Sequence, residues 1–187
     1  MEPTYKYLVL FPIPEPESSD LCALMNDVAE YTKLPPPYKN IPPHVTFHRP
    51  ISKINPETLV NLVRSASLQS NKTRITVSSF LPFEKQYIVL PVHATLSFNS
   101  LWVELYKLLS CLPQYEHGEF DPDNTLHITV ARKVSNVFYN VWPKVRLIPV
   151  PILTISVTHI ELYRKQLNKE GAVWERIESF PIPDYRE

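Results

Sequence analysis

"PHVTF" (Pro43-His44-Val45-Thr46-Phe47) and "LHITVAR" (Leu126-His127-Ile128-Thr129-Val130-Ala131-Arg132) are the stretches on which the reading of this chain turns. Each carries a histidine and a threonine two residues apart among apolar neighbours. In an extended strand, residues i and i+2 leave the backbone on the same side, so each histidine shares a face with its threonine. Val45, Phe47, Ile128 and Val130 then turn toward the opposite, buried face. A third copy of the pattern, His93-Ala94-Thr95-Leu96, competes for the same interpretation.

The surroundings separate the three. Tyr7-Leu8-Val9-Leu10-Phe11-Pro12 resembles Tyr87-Ile88-Val89-Leu90-Pro91, and each reads as a short β-prone run ended by proline. Leu21, Leu24, Met25 and Val28 predict a helix over Ser18–Thr32. Leu101, Leu105, Leu108 and Leu109 predict its counterpart over Ser97–Leu112. A loop then leads to His44 in one case and to His127 in the other. Further helices are expected over Pro56–Ala66 and Ser135–Trp142. Closing strands are expected at Ile75-Thr76-Val77 and Ile155-Ser156-Val157, with a final strand over Val173–Ile182. His44 and His127 therefore hold equivalent places in a duplication. His93 ends the opening strand of the second half, where the first half has Ile13, and has no mate.

The fold expectation is α+β: two β-α-β-α-β halves, roughly 5–84 and 85–182 and free to interleave, related by a pseudo-twofold axis. Two mostly antiparallel sheets would face a central cleft within one domain spanning 1–187. With 187 residues, 44% apolar and 20% charged, the chain can bury a core of that size.

Composition excludes several function classes. The formal charge is zero, which argues against a general binder of long duplex nucleic acid. Gly118 and Gly171 are the two glycines, too few for a Rossmann fingerprint or a Walker loop. Twenty prolines punctuate loops such as Pro35-Pro36-Pro37 and Pro42-Pro43. Cys22 and Cys111 fall in helical stretches without CxxC spacing, so buried free thiols in a reducing compartment are expected. Asp121-Pro122-Asp123 reads as a proline-centred turn before a strand and not as a metal motif. The acidic, proline-bearing N-terminus does not read as a signal peptide, and no apolar run reaches membrane length. A cytoplasmic monomer without a membrane partner is the expectation.

A twofold axis between the halves would gather two imidazoles and two hydroxyls. That set suits phosphodiester chemistry. One neutral histidine takes a proton from the nucleophile, and one protonated histidine gives a proton to the leaving oxygen. Thr46 and Thr129 can hold the nonbridging oxygens, and Arg132 is a cationic supplement. Which histidine is acid and which is base stays open at this point.

The paired motifs in a duplicated α+β frame resemble the two-histidine (2H) phosphoesterase superfamily, in its 2′-5′ RNA ligase-like and cyclic phosphodiesterase branch. The likeness covers roughly Tyr5 to Ile182, and "YIVLPV" before a helix adds to it. It implies a bilobal fold with catalytic His44 and His127, phosphate-binding Thr46 and Thr129, and no metal or cofactor. It also implies a small ribonucleotide substrate, either a 2′,3′-cyclic phosphate or a 2′-5′-linked oligonucleotide. A hydrolase of cyclic or 2′-5′ immune signals is the alternative within that class. A non-catalytic nucleotide- or RNA-binding module and a metal-dependent phosphodiesterase are the rivals outside it. His48 and Arg49 read as loop residues near the first motif. Tyr163, on a late strand, is a candidate for stacking on a base against the alternative of core packing. His117 and His159 read as structural or exposed.

Overall fold

The computed structural model describes residues 4–47, 51–52, 54–112 and 126–184. His48, Arg49, His117 and Asp121-Pro122-Asp123 lie outside the described residues. The expected elements occur in the expected order, with three further strands, Ile51–Ser52, Leu81–Phe83 and His159–Gln166, among them. The first half runs β1 (Tyr5–Pro12), α1 (Glu17–Thr32), a single 3-10 turn (Pro37–Lys39), β2 (His44–Thr46), β3 (Ile51–Ser52), α2 (Pro56–Gln69) and β4 (Thr73–Val77). The second runs β5 (Leu81–Phe83), β6 (Tyr87–Ala94), α3 (Leu96–Ser110), β7 (His127–Arg132), α4 (Phe138–Val145) and β8 (Leu153–Val157), and then β9 (His159–Gln166) and β10 (Glu175–Pro181).

Local chemistry sets the helix ends. Asn55 caps α2, its side-chain oxygen accepting from the amides of Glu57 at 2.8 Å and Thr58 at 3.3 Å, with Pro56 at the first helical position. Thr95 caps α3 through the Phe98 amide. Lys33 ends α1 in the left-handed region at φ 58°.

All described strand pairs are antiparallel, in the order β10-β9-β1-β2-β7-β6-β4-β8, with β3 against β1 and β5 against β6. The two expected sheets are joined where β2 meets β7, through the pair Val45↔Ile128. β8 lies at one end of this order and β9 near the other, yet only Thr158 separates them in the chain. The sheet must therefore curl until its ends nearly meet.

The closing strands do not complete their own halves. β4 pairs with β8, Ile75 opposite Ile155, and also with β6, Thr76 opposite His93. The place beside β1 that β4 would have filled is taken by β9, with Leu10 opposite Glu161. The halves interleave because strand pairing is chosen by tertiary packing, and sequence distance does not fix it. The repeat offset also shifts by one along the opening strands. Pro12 lies opposite His44 and Pro91 opposite His127, so these prolines are the equivalent residues.

One face of the sheet carries the core: Val9, Phe11, Val45, Phe47, Ile88, Leu90, Ile128, Val130, Ile160 and Leu162 are all essentially inaccessible. Leu21 and Val28 of α1, Leu59 and Val63 of α2, and Leu101 and Leu105 of α3 cover that face. Phe11 meets Phe98 edge-on with ring centres 4.9 Å apart, and Phe47 meets Trp102 at 4.4 Å. Each such side chain contributes about 1.5–3 kcal/mol on burial. The four apolar residues flanking the two threonines thus clamp the motifs from below. Both cysteines are free, but neither is fully buried: Cys22 is half-buried beside Leu21, and Cys111 is exposed at the end of α3.

Candidate active site

The Val45↔Ile128 pair fixes the geometry of the site. Two antiparallel strands are related by a local twofold axis through any directly opposed pair. Here that axis carries His44 onto His127 and Thr46 onto Thr129. Continuing the same register sets His44 across from Thr129 and Thr46 across from His127, a checkerboard on the face away from the core. Directly opposed side chains in such a sheet have β-carbons about 5 Å apart. The same backbone bond recurs at each strand entry: Ile13 donates to the Pro43 carbonyl at 3.0 Å, and Val92 donates to the Leu126 carbonyl at 2.7 Å.

The two histidines differ in surroundings. His44 is buried, and its Nδ1 lies 2.7 Å from the Pro42 carbonyl. A carbonyl oxygen can only accept, so Nδ1 carries the proton and neutral His44 presents the Nε2 lone pair. Its pKa is lowered to about 4, first by burial and then by the positive charges of Arg132 and His127, with the Pro42 bond opposing. His44 is therefore a neutral imidazole at physiological pH. Arg132 and His127 thus both lie within electrostatic range of the His44 ring.

His127 is half-buried, its ring 5.5 Å from the ring of Phe83 at an interplanar angle of 32°. Thr46 and Thr129 are half-buried, opposite Leu10 and Val89 respectively. Arg132 reaches the site through an irregularity that strict alternation would not predict. β7 bulges against β6: Thr129 lies opposite Val89, yet Ala131 lies opposite Ile88. Val130 and Ala131 are both buried as a result, and the next residue, Arg132, returns to the face of His127 and Thr129. Arg132 is exposed at its surface, although surrounding protein lowers its pKa, with Tyr87 opposing. The guanidinium stays cationic at neutral pH.

Tyr163 does not display a ring to solvent. It is buried with Leu8, Leu10 and Ile41, with Trp174 packed against the cluster. Its hydroxyl donates to Glu161 Oε2 at 3.0 Å, and Arg176 Nη1 holds Glu161 Oε1 at 2.9 Å. Burial and the Glu161 carboxylate push the Tyr163 phenol up to about 12, so it remains a donor. Sequence reasoning did not single out this triad. Glu161 lies opposite Leu10, which lies opposite Thr46, so the triad belongs to the same face two strands away.

His93 is exposed on β6 opposite Thr76, and His159 is exposed with Nδ1 2.9 Å from the Thr158 hydroxyl. Among the described residues no group of three or more His, Cys, Asp or Glu could hold a metal ion, and no helix is long and apolar enough to cross a membrane. A groove lined by Asp27, Glu30, Tyr31, Lys144 and Leu147 lies between α1 and the end of α4, and it contains no residue of β2 or β7.

Residues 18–169 match the family described as the 2′-5′ RNA ligase superfamily. Among solved structures, TT0787 of Thermus thermophilus superposes with a TM-score of 0.70 at 17% identity, covering 97% of this chain and 100% of that one. LigT of E. coli, solved with 3′-AMP, gives a TM-score of 0.64 at 14% identity, covering 97% and 99%. Usb1 of Kluyveromyces marxianus gives 0.51 at 13% identity, covering 96% and 97%. No curated protein sequence matches the chain.

Proposed function

Because the chain belongs to the 2′-5′ RNA ligase superfamily, we propose that it is a phosphodiesterase acting on a small ribonucleotide, with His44 as base and His127 as acid. The observation that carries this reading is the local twofold at Val45↔Ile128, which sets two histidines and two threonines on one sheet face. The role assignment follows from the Pro42 carbonyl, which leaves His44 Nε2 as an unprotonated nitrogen. E. coli LigT has been solved with 3′-AMP and with phosphate, in line with a nucleotide substrate.

With a 2′,3′-cyclic phosphate, His44 Nε2 removes a proton from water as the water oxygen attacks phosphorus. The bond from phosphorus to one ribose oxygen breaks, and His127 delivers the proton to that oxygen. With a 2′-5′ linkage the neighbouring 3′-hydroxyl replaces water, and the product is a cyclic phosphate. The hydroxyls of Thr46 and Thr129 donate to the nonbridging oxygens, and Arg132 offsets their charge. A bound phosphate also screens His44 from Arg132, removing one of the causes of its low pKa and strengthening it as a base. The two histidines supply both proton transfers, so this reading has no part for a metal ion or an organic cofactor.

The test is turnover in excess chelator of 2′,3′-cyclic nucleotides, a 2′-5′ oligoadenylate, its 3′-5′ counterpart and several cyclic dinucleotides. One of these should be cleaved by the intact protein. Nucleotide binding without any turnover would replace the enzyme by a binding module, and activity lost to chelator would replace it by a metal-dependent phosphodiesterase.

A further inference from the structure

The twofold that relates the histidines does not extend to the walls beside them. Next to His44 and Thr46, the described wall is largely buried: Leu8, Leu10, Ile41 and Tyr163 form one cluster, with half-buried Trp174 packed against it. Next to His127 and Thr129, the equivalent wall is the hairpin of β5 and β6, and it is open. Phe83 and Tyr87 are half-exposed, Leu81 is exposed, and Leu81 lies opposite Val89, itself opposite Thr129. Phe83 lies opposite Tyr87, and Tyr87 opposite Arg132, so the aromatic pair runs in one row into the cationic residue of the site. The two rings are 6.2 Å apart, and Phe83 continues onto His127 at 5.5 Å.

We infer that this hairpin is a nucleobase subsite: the base on the His127 side of the phosphate stacks on Phe83 and Tyr87. The inference rests on the proposed nucleotide substrate and adds which part of it is recognised. Three features select a nucleobase as the occupant. The wall adjoins the phosphate-binding residues, its rings are flat and apolar, and a guanidinium stands at their end. Aromatic stacking accepts every base because every base has a π-face, so this subsite demands a base while tolerating its identity. The tip of the hairpin is tied back to α4, Lys85 donating to the Tyr139 hydroxyl at 2.9 Å, which holds the wall in place.

The experiment compares two ratios in the intact protein and in Phe83→Leu, Tyr87→Leu and Phe83→Trp. The first is kcat/KM for adenosine 2′,3′-cyclic phosphate over that for the 2′,3′-cyclic phosphate of methyl riboside. The second is the affinity for adenosine 2′-monophosphate over that for inorganic phosphate. Both ratios should be about tenfold or more in the intact protein. Each should fall several-fold in the two leucine variants and return in Phe83→Trp. Taking ratios within each variant cancels any displacement of His127, and Tyr87→Leu tests the wall without touching His127. Turnover with a ratio near one in the intact protein, or equal losses on both substrates, would overturn the subsite and leave the enzyme standing. A binding ratio that follows the variants without turnover would keep the subsite and discard the proposed reaction.

Discussion

The His44 and His127 sides of the site have the same backbone and opposite environments. On each, a histidine enters the strand opposite a proline, a threonine follows two residues later, and apolar neighbours anchor the strand from below. Yet His44 is buried, tied to the Pro42 carbonyl and depressed to about 4, whereas His127 is half-buried against Phe83. The proposed reaction asks opposite proton roles of two residues that the repeat makes equivalent, and burial is what distinguishes them: the His44 ring is stripped of water, whereas His127 is only half-buried.

The comparison breaks most visibly when either imidazole is removed. His44→Ala and His127→Ala are each expected to lower kcat by at least about a hundredfold. His93→Ala, altering an exposed residue opposite Thr76, should stay within about twofold. Steady-state turnover of the three variants checks this, and a dead His93→Ala would mean that the repeat has been aligned on the wrong motif.

The same asymmetry should appear in folding stability. Native His44 titrates near 4 and the unfolded residue near 6.5. Between those values the unfolded chain takes up a proton that the native protein refuses, so stability falls as pH drops through this window. The contribution is fully present above the upper value, and about 3 kcal/mol of it is lost by the lower one. Urea denaturation of the intact protein and His44→Gln across pH 4–7 should show that increment in the first and not in the second. For the free enzyme, the ascending limb of kcat/KM should likewise fall below the ordinary histidine range.

Arg132 sharpens the comparison because it lies on the His127 strand yet its charge acts on His44. Arg132→Ala should raise KM for a phosphodiester by roughly tenfold, with Arg132→Lys recovering part of the loss through charge without the planar fork. A smaller effect concerns the open wall. Glu84 and Lys85 are the central residues of the turn closed by the Gln86 amide on the Phe83 carbonyl, at φ 51° and 54°, a conformation that favours asparagine and glycine. Glu84→Asn should stabilise the protein by about 0.5–1 kcal/mol in thermal unfolding.

That turn also explains part of what the sequence concealed. A Glu-Lys dipeptide carries no hairpin signal, so the β5–β6 wall and Phe83 beside His127 could not be read in advance. The bounds of the late strand that carries Tyr163, β9, were hidden for a related reason: Thr158 alone divides it from β8, without glycine or proline to mark the change. Arg132 was recognisable by its motif, but its face was set by a bulge that depends on the partner strand. Interleaving of the halves is likewise a property of pairing. The histidines, the threonines and the order of helices were legible because period-2 alternation and helical spacing are local signals. The equivalence of His44 and His127 came from counting along the repeat.

The most direct test of the account is a long-range proton–nitrogen NMR titration of the imidazoles between pH 4 and 8. At neutral pH His44 should show a protonated Nδ1 and a bare Nε2, and it should gain its second proton only well below 6.5. A His44 protonated on Nε2, or one titrating at the ordinary value, would contradict the assignment of His44 as the base set in place by the fold.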